Sequence, residues 1–248
     1  MSAPVYEPAQ PGLRVLGLVP ARGGSKRLPN KNLARFDGVP LVRRTLETAL
    51  RCPALDAVAL SSDSDEILAQ AAGLDAVYAI KRPEHLAGDK SRAIGAVIHA
   101  LEAVEAATQH RFDAVAVLQC TSPFTEPADI AGTIDLLERT GAASAVSVGP
   151  AEHDMHPLKM KQLVGDRLEP LFEDRDLTPT HELPDIWARN GSVYLCRRSV
   201  IESGELISDD AVGYRMPRER SIDIDSDLDL AFAEFLLQRG RDHGSTRR

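Results

Sequence analysis

The chain has 248 residues, 43% hydrophobic and 27% charged, an ordinary globular composition long enough for a full core in one domain, with or without an appendage. A formal net charge of −8 repels polyanions, which excludes nonspecific binding to nucleic acid or to an anionic membrane. The three cysteines, Cys52, Cys120 and Cys196, stand far apart without Cys-x-x-Cys spacing, which fits buried thiols and neither a disulfide framework nor a zinc site. Residues 1–12 are Pro-rich and hold no signal-peptide core, and no apolar run reaches membrane-spanning length. A soluble cytoplasmic protein with a disordered leader is expected.

From there strands and helices alternate. Strands are expected at 14–19, 56–60, 75–80, 114–119 and 143–148, and helices at 40–50, 65–72, 91–107 and 127–139. The helix at 40–50 opens on Pro40 and carries Leu41, Val42, Leu46, Ala49 and Leu50 at helical spacing. The run 114–119 is almost wholly apolar, as in a strand buried on both faces. Alternation of this kind predicts a doubly wound, mostly parallel α/β sheet with right-handed crossovers, whose ligands bind beyond the C-terminal strand ends. After Gly149 the pattern stops, and the Pro-, His- and acid-rich residues 150–185 are too polar for a core of their own, so a symmetric partner is the economical covering. The sheet resumes at 191–196, a short strand is expected at 222–224, and a helix capped by Ser226 closes at 238. The chain thus reads as one domain over 13–239 with an arm at 150–186 and a flexible tail at 240–248.

The loop after the first strand, 20–32, holds Gly23-Gly24 and the cations Arg22, Lys26, Arg27 and Lys31. Adjacent glycines let backbone N–H groups converge on an anion, and cations beside them point to phosphate. The spacing fits neither the Walker A nor the Rossmann glycine pattern, and a Gly-Gly turn can also be only a turn. Ser25 reads as a phosphate hydrogen-bond donor. At the other end, Asp223 and Asp225 alternate with Ile222 and Ile224. Period-two spacing puts both carboxylates on one face, and two hard oxygen ligands suit Mg²⁺, which takes one or two carboxylates and completes its shell with phosphate and water. Asp227 and Asp229 fit the acid preference of a helix N-terminus instead. Gln119 ends the central strand, where its amide can meet a ribose or cap the turn, and Asn190-Gly191 can be a simple turn. His153 and His156, three apart in a polar loop, read as surface residues because zinc requires more ligands than they supply.

Five blocks occur in order: 20–32, Ser61-Ser62-Asp63-Ser64-Asp65, Leu118-Gln119-Cys120-Thr121-Ser122-Pro123, Asn190-Gly191-Ser192-Val193-Tyr194 and Ile222-Asp223-Ile224-Asp225. Together they resemble the acylneuraminate cytidylyltransferases, the CMP-sialic acid synthetases and relatives, over residues 14–238. The resemblance implies a sheet of nucleotide-diphospho-sugar transferase type with a protruding arm, a homodimer, and transfer of CMP from CTP to a sugar acid with release of pyrophosphate. It implies that Ala21, Arg22, Gly23, Ser25, Lys26, Lys31, Asn32, Arg82 and Gln119 meet the nucleotide, with Arg22, Lys26, Asp223 and Asp225 catalytic. Asp223 and Asp225 would hold Mg²⁺ or Mn²⁺, and Gln119, Lys159, Arg189 and Asn190 would meet the acceptor.

The acceptor half departs from the family. Thr180 stands where the family often has an arginine for the sugar carboxylate, Ala188-Arg189 replaces Arg-Pro, and Ala93 replaces a serine near the nucleotide. The resemblance therefore implies CTP chemistry on a sialic-acid-like nonulosonate. The alternatives are a deaminated or diamino nonulosonate, an octulosonate, or a non-sugar acid. A non-catalytic nucleotide-binding protein and a metal-dependent glycosyltransferase are the readings from other classes.

Overall fold

Val15–Pro20 is the apolar run VLGLVP, and it forms the central strand β1, with Val15 and Val19 buried on one face and Leu16 and Leu18 on the other. The computed structural model describes residues 12–24, 28–88, 91–151, 155–172, 179 and 182–245. Residues 1–11 of the expected leader lie outside the described residues, as do Ser25, Lys26, Arg27, His153 and Thr180.

The chain continues through the small ribbon β2 (Arg35–Phe36) and β3 (Val39–Pro40) into α1 (Leu41–Leu50), β4 (Ala57–Ser62), α2 (Asp65–Leu68) and β5 (Val77–Lys81). Next come α3 (Ala93–Thr108), β6 (Ala114–Leu118), α4 (Pro127–Thr140) and β7 (Ser144–Pro150). Then follow a hairpin of β8 (Lys161–Val164) and β9 (Arg167–Pro170), the long β10 (Trp187–Arg197), α5 (Arg198–Glu202), β11 (Val212–Arg215) and α6 (Asp227–Ser245). The main sheet has seven strands in the order β11-β7-β10-β6-β1-β4-β5. All are parallel save β10, which runs antiparallel to both neighbours, β6 and β7. The expected mostly parallel sheet with helices on both faces is what forms. One core packs α1, α4 and α6 against it, and the other packs α3 and α5.

Three expectations change. Residues 222–224 form no strand; Ile224 donates one backbone bond to the Thr121 carbonyl at 2.8 Å, with no ladder. An extended backbone alternates its side chains with or without a partner strand, so Ile224 is still fully buried while Asp223 points out. Helix α6 runs to Ser245 rather than ending at 238. The strand β11, unforeseen, pairs with the edge of β7.

The β8–β9 hairpin pairs only with itself, and Leu163 and Leu168, cross-strand partners, are 67% and 70% exposed. No helix among the described residues is long and apolar enough to cross a membrane.

Candidate nucleotide and metal site

The C-terminal ends of β1, β5 and β6 meet at a cleft of about 450 Å³, closed on one side by the first turns of α3. Arg22, Lys31, Asn32, Arg82 and Gln119 line it, together with Thr121 and Tyr194. A larger groove, about 1010 Å³, crosses α1, α4 and α6 between Arg44, Phe124 and Leu236, and none of the expected site residues line it.

The loop after β1 is held by the strand beside it. The Ala21 N–H donates to the Ser61 carbonyl at 3.0 Å, and the Gly23 N–H donates to Asp63 Oδ1 at 3.0 Å. The Asn32 side chain is buried and donates Nδ2 to the Arg22 carbonyl at 2.9 Å, which fixes where the Arg22 backbone turns. Arg82 is only 6% exposed, with Nε and Nη2 on the Ser61 hydroxyl and carbonyl at 3.1 and 2.8 Å. Burial lowers its pKa first; Asp63 opposes that shift, and the nearby positive Arg22 adds to it. Two guanidiniums repelling each other across a cleft are relieved by an anion between them. Lys26 and Ser25, expected beside them, lie outside the described residues.

Lys31 joins the two ends of the chain. Its Nζ donates to Asp225 Oδ1 at 2.8 Å, so the basic loop and the acidic segment form one site. Asp225 is further set by its own N–H, which donates to Asp229 Oδ2 at 3.0 Å. Asp229 also accepts from the N–H and hydroxyl of Ser226, at 2.8 and 2.7 Å, and Ser226 accepts the Asp229 N–H at 3.3 Å. This reciprocal cap starts α6 and accounts for Asp229 as a structural acid. Asp223 lies beside the Asn190-Gly191 turn: Gly191 has φ +80°, and a Cβ there would stand 3.3 Å from Ser122 Oγ and 3.8 Å from the Asp223 carboxyl. The positive φ strains any side chain there, and a Cβ would press on Ser122 Oγ, so the turn calls for glycine.

The carboxyl of Asp223 is raised above the usual carboxylate range by burial against its surroundings, although its outer face meets solvent. Asp225 pushes it further up, while the Thr121 hydroxyl and Lys31 pull it down. Two carboxylates that disfavour each other's charge beside a cleft lined with phosphate-type cations fit a hard divalent ion. Among the described residues no three His, Cys, Asp or Glu side chains converge. The raised folded-state value has a sign consequence. Above it, the ionised Asp223 costs the metal-free fold stability, and that cost vanishes as pH falls through the folded-state value. Metal-free Asp223→Asn is therefore expected to melt at or above the wild-type temperature at neutral pH. Melting curves without metal or nucleotide check this, and a clearly lower Tm contradicts it.

The remaining expected residues divide. Gln119 reaches the cleft, and Arg189 lies exposed on β10 near Tyr194, whose hydroxyl pKa it lowers against the upward push of burial. Asn190 spends its amide inside the protein. Its Oδ1 accepts from Ser147 Oγ at 2.7 Å, and its Nδ2 donates to Ser221 Oγ at 2.9 Å and to Met216 Sδ at 3.2 Å. These bonds hold the bulge of β10. Lys159 stands in the turn after His156 and is not among the described residues lining the cleft. Thr121 and Tyr194 are among the lining residues that carry no role in the sequence analysis; both sit inside quoted blocks, and only the folded geometry turns them inward. Cys120 also borders the cleft, but burial pushes its thiol up to about 12, so it is no nucleophile at neutral pH.

Residues 16–204 match the cytidylyltransferase family. The chain is 34% identical over 229 residues to the CMP-N,N'-diacetyllegionaminic acid synthase of Legionella pneumophila, covering 91% of this chain and 97% of that one. It is 26% identical to the pseudaminic acid cytidylyltransferase of Campylobacter jejuni serotype O:23/36, covering 91% and 97%. Its fold is similar to that of CMP:2-keto-3-deoxy-manno-octonic acid synthetase complexed with CTP, with a TM-score of 0.66 at 18% identity over 92% of this chain and 99% of that one. That match spans residues 16–204, most of the chain, and the chain belongs to the cytidylyltransferase family.

Proposed function

We propose that the chain transfers CMP from CTP to the hydroxyl of a nonulosonate sugar acid and releases pyrophosphate. The observation that carries this reading is the Lys31–Asp225 contact at 2.8 Å, which ties the acidic segment to a lysine that lines the cationic cleft. The acceptor hydroxyl gives up its proton to water and its oxygen bonds to the α-phosphorus as the bond to the β-phosphate bridging oxygen breaks, and pyrophosphate leaves with that electron pair. Arg22, Lys31 and Arg82 neutralise phosphate charge and align the chain of phosphates, with Ser25 and Lys26 assigned the same task from the sequence. Asp223 and Asp225 would hold Mg²⁺ or Mn²⁺, which when bound stabilises charge on the reacting phosphate. Asn32 keeps the phosphate loop in shape, Asn190 the acceptor side, and Gln119 offers its amide between the two.

The exposed Leu163–Leu168 pair of the β8–β9 hairpin supports an arm that a second copy covers, with Lys159 at its base serving the acceptor. Lack of a long apolar helix among the described residues agrees with action in the cytoplasm.

A panel of acids with CTP and Mg²⁺, read by pyrophosphate release, tests the reaction: N-acetylneuraminate, N,N'-diacetyllegionaminate, pseudaminate and 3-deoxy-octulosonate. Turnover of a nonulosonate is expected, with N,N'-diacetyllegionaminate first in rank because of the 34% identity to its synthase. CTP binding without pyrophosphate release on any acid would sink the proposal.

A further inference from the structure

Beyond Tyr194, the sheet face that floors the cleft carries an arrangement still unaccounted for. Arg189 on β10 and Arg215 on β11 both register against Val148 on β7. Registered neighbours share a face, so both arginines rise from the side that bears Tyr194, whose partner Val146 lies two residues from Val148. Two strand spacings, about 10 Å, separate their backbones. Arg215 closes part of that gap by leaning across β7, so that its guanidinium carbon lies 4.9 Å from the centroid of the Trp187 ring. Trp187 precedes Arg189 by two residues on β10 and shares its face. Among the described residues neither guanidinium has a carboxylate partner, although acids outnumber bases in the chain by 37 to 29.

Like charges steered onto one face with no acid between them repel, and an anion relieves the repulsion. We propose that Arg189 and Arg215, the latter steadied by Trp187, form the subsite for the carboxylate of the sugar acid. The assignment rests on the functional reading above. A planar carboxylate accepts paired N–H bonds from guanidiniums in a way that lysines do not reproduce, and the aromatic face restricts Arg215 to few orientations before the ligand arrives. The subsite adjoins the cleft, because Tyr194, which shares the face of Arg189, lines it.

Trp187 is the only tryptophan of the chain, so intrinsic emission reports on this place alone. The probe is the sugar acid that the panel turns over fastest, or N,N'-diacetyllegionaminate where none is turned over, beside its methyl ester and CTP. The free acid is expected to change the emission saturably and the ester is not. Arg189→Ala and Arg215→Ala should lose that change and raise the acceptor KM about tenfold or more, the effect of one charged hydrogen bond. The KM for CTP should stay within about twofold, and Arg215→Lys should recover part of the loss. An unchanged acceptor KM in Arg215→Ala overturns the subsite, as does an ester that binds like the acid. A response to CTP alone that depends on Arg215 also overturns it, in favour of a phosphate site. If no acid releases pyrophosphate, the functional reading fails by itself, and the emission titration still decides: an Arg215-dependent response to the carboxylate sustains the subsite, and none removes it.

Discussion

Asp225→Asn is expected to lower kcat for pyrophosphate release roughly 10³-fold, the scale on which one preorganised electrostatic contact to a reacting centre is worth. The substitution keeps the shape of the side chain and its backbone anchor to Asp229, so the entry to α6 survives. What changes is charge. Asp223 alone would hold a divalent ion more weakly than two carboxylates together, and Lys31 loses the negative charge of its partner at 2.8 Å. The ion pair keeps partial exposure, 19% at Lys31 and 36% at Asp225, so its loss costs the fold on the order of 1 kcal/mol. The two roles of Asp225 therefore separate cleanly. If it serves only to tether Lys31, kcat should fall modestly and Mg²⁺ affinity should not move. If it is a metal ligand, the Mg²⁺ concentration needed for half activity rises steeply while the melting temperature hardly changes. A Mg²⁺ titration of the variant beside the wild type, with a melting curve of each, makes the comparison; near-normal turnover at ordinary Mg²⁺ removes the metal role.

Much of the fold was legible because burial on both faces leaves continuous apolar runs. Val15–Pro20 and Ala114–Leu118 could be nothing but central strands, and they are. Val212–Arg215 gave no such run, because an edge strand with alternating half-exposed residues looks like any loop with a valine and a tyrosine. Residues 222–224 misled for the opposite reason. Period-two alternation reports an extended backbone and says nothing of a neighbouring ladder, so a single bond to Thr121 produced the same pattern as a strand. The end of α6 was placed too early because Gly240 reads as a stop; in the fold Arg241 reaches Asp37, and the helix passes through the glycine.

Within the site, residue types were readable but meetings were not. Arg22, Lys31, Asp223 and Asp225 each had chemistry that pointed to phosphate or metal, yet no local pattern says that residue 31 touches residue 225. That contact comes from topology: β1 and β6 are adjacent, and Ile224 hangs its segment on Thr121 just past β6. Asn190 shows the reverse case. An Asn-Gly pair signals a turn, and the turn is real, but the amide proved to be spent on Ser147, Met216 and Ser221. Gly149 belongs to the same knot, since a Cβ there would fall 2.6 Å from Ser221 Oγ. Function therefore reaches Asn190 through the position of the segment that follows Ser221.

That segment has one strong anchor, and Arg220→Met is expected to be the most destabilising of the variants considered. Arg220 places Nη2 and Nε on the two oxygens of Asp129 at 2.7 and 3.2 Å, with Glu126 nearby at 3.8 Å. Asp129 is fully buried in the first turn of α4, where it also accepts the Glu126 N–H at 2.9 Å. Met fills the volume of the side-chain stem but leaves a buried carboxylate without its cation, a loss of about 3 kcal/mol, at the lower end for a broken buried pair because Arg220 keeps some exposure. For a domain of this size that lowers Tm by about 6–12 °C. The double change Arg220→Met with Asp129→Leu should recover most of the loss, because an apolar pair leaves no stranded charge. It should not recover activity. Arg220 ends the short 3₁₀ turn 218–220 immediately before Ser221, and through it the strand-like run bearing Asp223 and Asp225 is fastened to α4. With that fastening gone, the two carboxylates lose their fixed separation even in a fold that is stable again. Rescue of Tm without rescue of kcat is thus the expected signature, and recovery of both together would show that the ion pair stabilises α4 alone and leaves the metal segment to the Thr121 bond.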